Sequence, residues 1–398
     1  MRHLSDRDTD RALIYPRAFY ALYFGAMATL APFIVLYYQQ IGLSGQQIGV
    51  LSGIAPVVTL FSAPLWGGIS DATRQHKRLA LIALAGALIC MLAISRVDRF
   101  ALLIPLVALY AFFIAPVLPL IDRTVLDLLG ARKEDYGRQR LWGSVGWGLT
   151  GPLAGLFIQR MGLLWSFYLF ALFIAVALLV TARMPIRSTS LGQPFWQGMR
   201  QLVTNRPLAL FFIAMFLQGV GRSSSFGFFY LHMNDLGAGR FLVGLMLTVA
   251  AMSELPSFFF SGTLLRRFGS RALFIVSLTA ATLMLLSYSI IRNPWLVLLV
   301  QVLTGPSFSL MWVAGVSYTD RMAPQGMGAT AQGLFSAVSM GLASGVGALI
   351  GGWMYDHLGA VWLFRWAGFM VVLGLGFLMV TYRESPAEQP AVEMRRDT

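Results

Sequence analysis

The second long apolar run of this chain ends in the stretch GGISDATRQHKR, residues 67–78, and a similar stretch, GTLLRRFGSR, occupies residues 262–271. Each stretch begins with a glycine and carries a cluster of basic residues. The two opening glycines lie 195 residues apart, and so do Gly49 and Gly244. Self-similarity at a fixed interval is the signature of an internal repeat. The sequence therefore predicts two halves that share one architecture.

Apolar residues fill most of the 398-residue chain, of which 57% are hydrophobic and only 12% are charged. This composition is too apolar for a soluble globular protein. A helix needs about 20 mostly apolar residues to cross a bilayer, and runs of that length follow one another from Tyr15 to Tyr382. The sequence predicts an all-α polytopic membrane protein. Charged residues precede the first run and further runs follow it at once, which argues against a cleavable signal peptide.

The formal net charge of +13 is concentrated on one side of the predicted membrane. Of the 30 Lys and Arg residues, 22 lie in the termini and alternate loops, five in the opposite loops, and three within spans. Basic residues accumulate in the cytoplasmic loops of membrane proteins. We therefore expect a multi-pass protein of the cell (inner) membrane with both termini in the cytoplasm. The same distribution argues against a nucleic-acid partner.

The stretch at residues 67–78 resembles the loop between the second and third helices of the major facilitator superfamily. In that loop a glycine allows close helix approach, a carboxylate caps or pairs with the neighbouring bundle, and basic residues follow. The chain departs from the family pattern at Ala72, where a basic residue is usual, and it lacks the internal glycine. The resemblance implies gating roles for seven residues of the two copies: Gly67, Asp71, Lys77, Arg78, Gly262, Arg266 and Arg267. The alternative is a plain basic cytoplasmic loop that reports only the topology.

The resemblance covers residues 15–382 and implies a particular architecture. It predicts twelve transmembrane helices in two six-helix halves related by pseudo-twofold symmetry about an axis along the membrane normal. Members of this superfamily usually work as monomers, so a monomer is expected. The expected segments are a cytoplasmic tail (1–13), an N-terminal six-helix bundle (14–183), a cytoplasmic linker (184–207), a C-terminal six-helix bundle (208–382) and a disordered cytoplasmic tail (383–398).

Charged side chains also lie at the junction of the fourth and fifth apolar runs. Asp122 and Arg123 lie near the end of the fourth run, and Arg140 opens the fifth, two helical turns before Trp147. A charge in hydrocarbon is costly unless it is paired or faces water, so such residues usually mark a pathway or a structural pair. The segment YGRQRLWGSVGW, residues 136–147, resembles the corresponding loop and fifth helix of lactose permease and its oligosaccharide symporter relatives.

In those symporters an acidic residue on helix 4, an arginine on helix 5 and a tryptophan one to two turns later hold the sugar. The resemblance implies that Asp122, Arg140 and Trp147 bind substrate together. The alternative is that Asp122 pairs with Arg123 or a loop arginine, and that Arg140 is only a cytoplasmic anchor. Tyr20 and Tyr23 lie deeper than the interfacial tyrosines of the first span and are candidates to line a cavity, and Tyr23 is assigned to substrate binding.

Two further charges lie within spans of the second half. Arg222 is near the middle of the seventh span and Glu254 lies at a similar depth in the eighth. They form either a buried ion pair or part of a substrate or proton site. The sequence around Glu254, Ser253-Glu254-Leu255-Pro256, resembles helix 8 of the phenylpropionate-permease-like branch of the superfamily.

Lactose permease couples protons to sugar through a histidine and a glutamate on helix 10, where this chain has Thr304 and Ser307. This chain therefore lacks the two side chains through which lactose permease couples protons to sugar. We therefore assign proton coupling to Glu254, with Asp122 as the second candidate. On the same tenth span, Gln301 is assigned to substrate binding.

These observations favour a secondary transporter that moves a small organic solute by alternating access, with proton-coupled symport as the leading version. The solute is expected to be sugar-like. An organic anion is the alternative substrate, because the guanidinium of Arg222 stays positively charged. The alternative is a drug/proton antiporter. It is supported by Gly151-Pro152-Leu153-Ala154-Gly155, which partly resembles the helix 5 motif of drug–proton antiporters.

Other classes of protein find less support in the sequence. There is no zinc-protease helix with paired histidines and no glycine-rich phosphate loop after a strand, so an enzyme is not expected. Cys90 is the only cysteine, which excludes an internal disulfide, and no metal or cofactor is expected. A transporter-like solute receptor remains an alternative that a flux assay would separate. The expected partners are a small-molecule substrate, protons and the lipid bilayer.

Overall fold

A computed structural model of the chain describes residues 12–73, 75–129, 136–184, 205–323 and 328–381. The predicted cytoplasmic tails and the predicted linker lie almost entirely outside these residues. The regular structure of the described ranges is helical. In chain order, the α-helices are α1 (Ile14–Gln40), α2 (Gly45–Thr73), α3 (His76–Ile94), α4 (Phe100–Ile114), α5 (Val117–Leu129), α6 (Tyr136–Met161), α7 (Trp165–Arg183), α8 (Arg206–Asp235), α9 (Arg240–Tyr288), α10 (Val297–Gln301), α11 (Met311–Met322), α12 (Gly328–Ser336) and α13 (Ala343–Thr381).

Nine helices of the described ranges are long and apolar enough to cross a membrane, and ten if the bent pair Pro294–Gln301 and Pro306–Met322 counts as one span. The chain is therefore a multi-pass helical membrane protein. Two of these helices far exceed the length of about 20 residues that one crossing requires. Each of the two bends sharply at a glycine, at Gly269 (φ 73°) in α9 and at Gly359 (φ 79°) in α13, where the left-handed backbone favours glycine.

The fourth apolar run forms two helices, α4 and α5, which are separated at Pro116. α4 contains Pro105, and Pro119 lies in the first turn of α5, where a missing N–H costs little. The break falls at Pro116, which cannot donate to the Phe112 carbonyl one turn earlier. The indole Nε1 of Trp66 donates to that carbonyl instead, at 3.0 Å. The break is thus stabilised by a side chain from α2.

The first compact unit comprises Met1–Leu43, Ile54–Gln193 and Met233–Thr248. Within it α1 packs against α6 and α7, and α3 packs against α4 and α7. α1 and α6 approach backbone to backbone, since a Cβ at Gly146 would lie 2.1 Å from the Ala21 carbonyl oxygen. Small residues permit such close helix contacts in membranes. The glycines of the fifth apolar run therefore bring α6 directly onto α1.

The second compact unit comprises Ser44–Gly53, Pro194–His232 and Val249–Thr398. Its core includes an aromatic cluster in which the Phe211 ring lies 4.7 Å from Tyr318, 5.8 Å from Phe274 and 5.9 Å from Phe335, between centroids. Gly315 makes room for this cluster, because a Cβ there would lie 2.4 Å from the Phe335 ring. Aromatic rings at these distances stabilise the unit beyond simple burial.

Candidate functional site

The first candidate site lies in the first unit, where α1 meets α5. The Tyr20 hydroxyl donates a hydrogen bond to Oδ1 of Asp122, with an oxygen–oxygen distance of 2.5 Å. Tyr20 is fully buried, whereas Asp122 is half-buried. Tyr136, in the first turn of α6, interacts with both the Tyr20 hydroxyl and the Asp122 carboxylate. A hydrogen bond to an ionised acceptor is short and strong, so Tyr20 fixes the orientation of this carboxylate.

Arg140 of α6 lies over the aromatic face of α1. Its guanidinium carbon is 4.1 Å from the centroid of the Phe24 ring and 5.4 Å from that of Tyr20, one helical turn earlier. Cations at these distances are attracted by the ring quadrupole. Gly143 makes room for this arrangement, because a Cβ there would lie 2.7 Å from the Phe24 ring and 2.8 Å from Nη1 of Arg140. Arg140 therefore points toward α1 and its tyrosine, the partner of Asp122.

Two other predicted residues of this site lie at its margin. Trp147 is half-buried on α6, and in the described part of the chain its ring makes no hydrogen bond or ring contact with Asp122 or Arg140. Tyr23 stacks on Phe19 with centroids 5.7 Å apart. The structure thus brings together Asp122 and Arg140 around Tyr20, while Tyr23 extends the aromatic layer of α1.

The second candidate site lies in the second unit, around Arg222 of α8 and Glu254 of α9. The two charges interact electrostatically. Nη1 of Arg222 donates to the carbonyl oxygen of Ser307 at 3.2 Å, and its guanidinium carbon lies 5.9 Å from the Phe308 ring centroid. The arginine therefore binds a backbone carbonyl while it remains within the field of the glutamate.

That carbonyl belongs to a broken stretch of helix. Between α10 and α11 the chain bends by 40°, and Pro306–Leu310 forms a π-helical turn. Gly305 lies directly against α9, since a Cβ there would be 2.0 Å from the Ser253 carbonyl oxygen, and its N–H donates to the Ser253 hydroxyl at 2.9 Å. π-Turns and interrupted helices are frequent at functional sites of membrane transporters. The break thus lies beside Glu254.

Gln301 ends α10 and organises a buried polar network next to this break. Its Oε1 accepts hydrogen bonds from the Tyr288 hydroxyl at 3.2 Å and from the Thr304 hydroxyl at 2.7 Å. Gln301 is only 7% exposed. A fully paired buried network rigidifies its surroundings. The described contacts of Gln301 therefore position helix segments around the Arg222 site.

Of the four basic residues assigned to the gating motif, Lys77 makes a long-range contact and the other three make local ones. Nζ of Lys77 donates to the carbonyl oxygen of Met184 at the end of α7, at 3.1 Å. Favourable contacts of this kind are typical where a cation meets a helix C-terminus. The other three contact near neighbours: Arg78 binds Gln75, Arg266 binds Thr263, and Arg267 lies over the Phe268 ring.

The described residues show no close helix approach at the two motif glycines. Among the described residues no heavy atom lies within 4 Å of a Cβ built on Gly67, and only the Arg266 side chain, at 3.8 Å, lies near one built on Gly262. The side chain of Asp71 lies outside the described residues. The sequence did not single out Ser70 and His76, which form a buried hydrogen bond at the same loop.

Sequence reasoning placed Tyr20 beside a cavity without pairing it with Asp122, and it missed the other aromatic partners of the predicted charges. Tyr20, Phe24 and Tyr136 surround Asp122 and Arg140, and Tyr288 and Phe308 surround Arg222. A usable signal existed for Phe24, which lies four residues after Tyr20, and for Tyr136, which lies four residues before Arg140, because residues at this spacing share a helix face. Tyr288 and Phe308 lie on helical segments other than α8, and a single sequence does not pair them with Arg222.

Charged side chains within membrane-spanning helices, beside a broken helix, are typical of the substrate and ion pathways of membrane transporters. Residues 13–366 match the model of the MFS_1 like family, so the chain belongs to that family of the major facilitator superfamily. The resemblance derived from the sequence is confirmed. The chain is therefore a multi-pass membrane transporter and not an enzyme.

Several named transporters are similar to the chain. It is 30% identical over 360 residues to the maltose permease of Geobacillus stearothermophilus, covering 89% of this chain and 91% of that protein. It is 26% identical over 348 residues to the probable 3-phenylpropionic acid transporter of Escherichia coli (strain K12), covering 85% and 90%. The crystal structure of nucleoside transporter NupG matches with a TM-score of 0.82 and 18% identity, over 95% of this chain and 99% of that one. At this identity the last match shows the fold alone.

Proposed function

We propose that the chain is a proton-coupled symporter that takes up a sugar-like solute or an organic anion by alternating access. The observation that carries the proposal is the arrangement of Asp122 and Arg140 around Tyr20. A carboxylate and a guanidinium suit charge-assisted hydrogen bonds to hydroxyl or carboxylate groups. The neighbouring ring of Phe24 offers a flat apolar surface to a sugar or an aromatic ring. The similarity to a maltose permease supports the sugar-like reading.

The second site supports proton coupling and the organic-anion version. Glu254 is a carboxylate within a span, beside the broken helix and within the field of Arg222. Carboxylates in such positions mark proton relays in transporters. Arg222 provides a permanent positive charge that an anionic solute would meet. The similarity to a probable 3-phenylpropionic acid transporter is consistent with this version.

The proposal includes a topology of twelve spans. α9 and α13 would each cross the membrane twice, with the turns at Gly269 and Gly359. The two six-helix halves would then occupy residues 14–183 and 208–382. Both termini would lie in the cytoplasm of an inner membrane, because the basic loops face that side, and the working unit would be a monomer.

Antiport of a drug against protons is the alternative function. It is supported by the partial resemblance of the stretch from Gly151 to Gly155 to the helix 5 motif of drug–proton antiporters. In the first unit, a Cβ at Gly151 would lie 2.8 Å from the Gly244 carbonyl oxygen, and one at Gly155 would lie 2.3 Å from the Arg240 carbonyl oxygen. These glycines therefore have a packing role that requires no antiport. Symport remains the leading version.

Flux measurements on reconstituted protein test the proposal. Proteoliposomes with an inward proton gradient would be offered radiolabelled maltose, 3-phenylpropionate or uridine, and a cationic dye would be loaded inside to detect antiport. We expect accumulation of the sugar or the anion that collapses when a protonophore is added. Asp122→Asn should abolish it, whereas the exposed Asp127→Asn on the same helix serves as the matched control. Dye extrusion without solute accumulation would replace symport by antiport.

A further inference from the structure

Asp356 of α13 caps the N-terminus of a different helix, α2. Its two carboxylate oxygens accept the backbone N–H groups of Gly45 and Gln46, each at 2.7 Å. The next donor, the N–H of Gln47, is satisfied locally by the hydroxyl of Ser44, and the Gln47 amide accepts the Ser44 N–H in return. This reciprocal pair is a capping box, which leaves two free donors in the first turn. Asp356 takes both.

The carboxylate lies one turn beyond a direct backbone contact between the same two helices. A Cβ at Gly352 would lie 2.5 Å from the Gly45 carbonyl oxygen, and one at Gly49 would lie 2.5 Å from the Ala348 carbonyl oxygen. The helices therefore touch through small residues, with Asp356 at the end of the contact. An anion at a helix N-terminus also interacts favourably with the helix dipole.

The first unit contains an equivalent contact between α9 and α6. A Cβ at Gly155 would lie 2.3 Å from the Arg240 carbonyl oxygen, which corresponds to the 2.5 Å between a Cβ at Gly352 and the Gly45 carbonyl oxygen. The N–H of Phe241, in the first turn of α9, donates to Oε1 of Gln159 at 3.2 Å. Gln159 lies four residues after Gly155, as Asp356 lies four residues after Gly352.

Each contact joins one helix of the first sequence repeat to one of the second, and the two contacts have the same structure except for one group. Asp356 is charged and accepts two short hydrogen bonds, whereas Gln159 is neutral and accepts one longer bond. Charge-assisted hydrogen bonds are roughly twice as strong as neutral ones. The α2–α13 contact is therefore the stronger of the pair.

We propose that Asp356 is a charged latch that holds the outer ends of α2 and α13 together, with Gln159 as its neutral counterpart on α6. The inference rests on the proposed function in one respect, since alternating access requires helices of the two repeats to separate on the side that opens. Both contacts lie at helix ends opposite the basic loops, on the predicted outer side. Asp356 therefore sets how often the outer side opens.

Two isosteric substitutions test the latch: Asp356→Asn removes the charge, and Gln159→Glu adds one. The reporter is Ala348→Cys, in a Cys90→Ser background, because Ala348 is 6% exposed and lies in the α2–α13 contact. Its alkylation by a membrane-impermeant maleimide in right-side-out vesicles measures opening of the outer side. Hydrogen exchange of a peptide spanning residues 43–50 reports the capped amides directly. Asp98→Asn, an exposed acid in a predicted outer loop, is the matched control.

We expect Asp356→Asn to speed alkylation about fivefold to tenfold and to accelerate exchange at the start of α2, because two charge-assisted bonds are weakened. Gln159→Glu should slow alkylation, and Asp98→Asn should leave it unchanged. Wild-type alkylation and exchange in Asp356→Asn would overturn the latch. If that variant fails to fold, Gln159→Glu decides, and unchanged or faster alkylation would overturn the proposal. Neither measurement needs the solute, so a failed transport assay with altered alkylation would reject the proposed function and keep the latch.

Discussion

The Tyr20 hydroxyl and the Asp122 carboxylate are joined by a hydrogen bond of 2.5 Å that links α1 to α5. The ring of the same tyrosine lies below the guanidinium of Arg140. The buried side chain of Tyr20 therefore contacts both charged groups of the first candidate site: its hydroxyl orients the Asp122 carboxylate and its ring packs against the Arg140 guanidinium. Because α1 packs against α6 through glycines, the position of Tyr20 is fixed by the packing of the whole unit.

Tyr20→Phe should weaken solute binding while preserving the fold. The substitution removes the donor to Asp122 but keeps the ring that packs under Arg140. A hydrogen bond to a charged group is worth about 1.5–3 kcal/mol, so we expect KM for the transported solute to rise roughly tenfold or more. The measurement is initial uptake rate against solute concentration in proteoliposomes. Tyr37→Phe, near the other end of α1, is the control, and an unchanged KM in Tyr20→Phe would show that other groups orient Asp122.

Arg140→Lys should impair binding more than its conserved charge suggests. Lysine lacks the planar fork that binds carboxylates or paired hydroxyls in a bidentate manner, and it cannot stack on Phe24 in the same way. We expect a loss of affinity of about tenfold or more, measured by isothermal titration with the transported solute. Arg138→Lys, exposed and two residues away on α6, should bind normally. Equal affinities in both variants would leave Arg140 as a cytoplasmic anchor.

The sequence predicts the charged residues of the first site better than their partners. Asp122 and Arg140 are visible because a charge beside an apolar run is costly and therefore informative. Tyr20 and Tyr23 both lie in the same apolar run, and nothing local to that run distinguishes them. Only the packing of α1 against its neighbours makes Tyr20 the partner of Asp122. The repeat of glycines at a fixed interval, in contrast, correctly indicated the superfamily.

The second site was less accessible to sequence reasoning for a different reason. In this site Arg222 donates to the backbone carbonyl of Ser307. Every residue has a backbone carbonyl, so the residue types in the sequence do not indicate this partner. The π-turn that presents this carbonyl depends on the contact of Gly305 with Ser253, a tertiary interaction. At the break in the fourth span, the Phe112 carbonyl accepts a hydrogen bond from the indole of Trp66, a residue of another helix that the local sequence does not identify.

Glu254→Gln should uncouple transport from the proton gradient. The amide keeps the size of the side chain but cannot take up a proton, so uphill accumulation should be lost while downhill exchange continues. The measurement compares gradient-driven accumulation with counterflow of labelled solute in the same proteoliposomes. Asp320→Asn, an exposed acid at the end of α11, is the control. Accumulation that survives in Glu254→Gln would move proton coupling to Asp122.

A structural role for Glu254 predicts a different result. If Glu254 and Arg222 are only a buried pair, removing one charge leaves the other uncompensated and should destabilise the protein by about 3–5 kcal/mol. The double variant Glu254→Gln, Arg222→Gln should then recover stability. Recovery of the thermal unfolding midpoint without recovery of exchange would assign the pair to folding.

Gly305→Ala should damage both stability and coupling, because it acts at the contact that holds the broken helix beside Glu254. A Cβ at this position would lie 2.0 Å from the carbonyl oxygen and 2.3 Å from the carbonyl carbon of Ser253, so the backbones must separate. Overpacking of this kind costs about 1–3 kcal/mol. We expect a lower midpoint of thermal unfolding in detergent and a loss of proton-driven accumulation greater than that of exchange. Gly67→Ala, where no described heavy atom lies within 4 Å of the added carbon, should keep the wild-type midpoint. A wild-type midpoint in Gly305→Ala as well would mean that the contact with Ser253 yields easily and does not position Glu254.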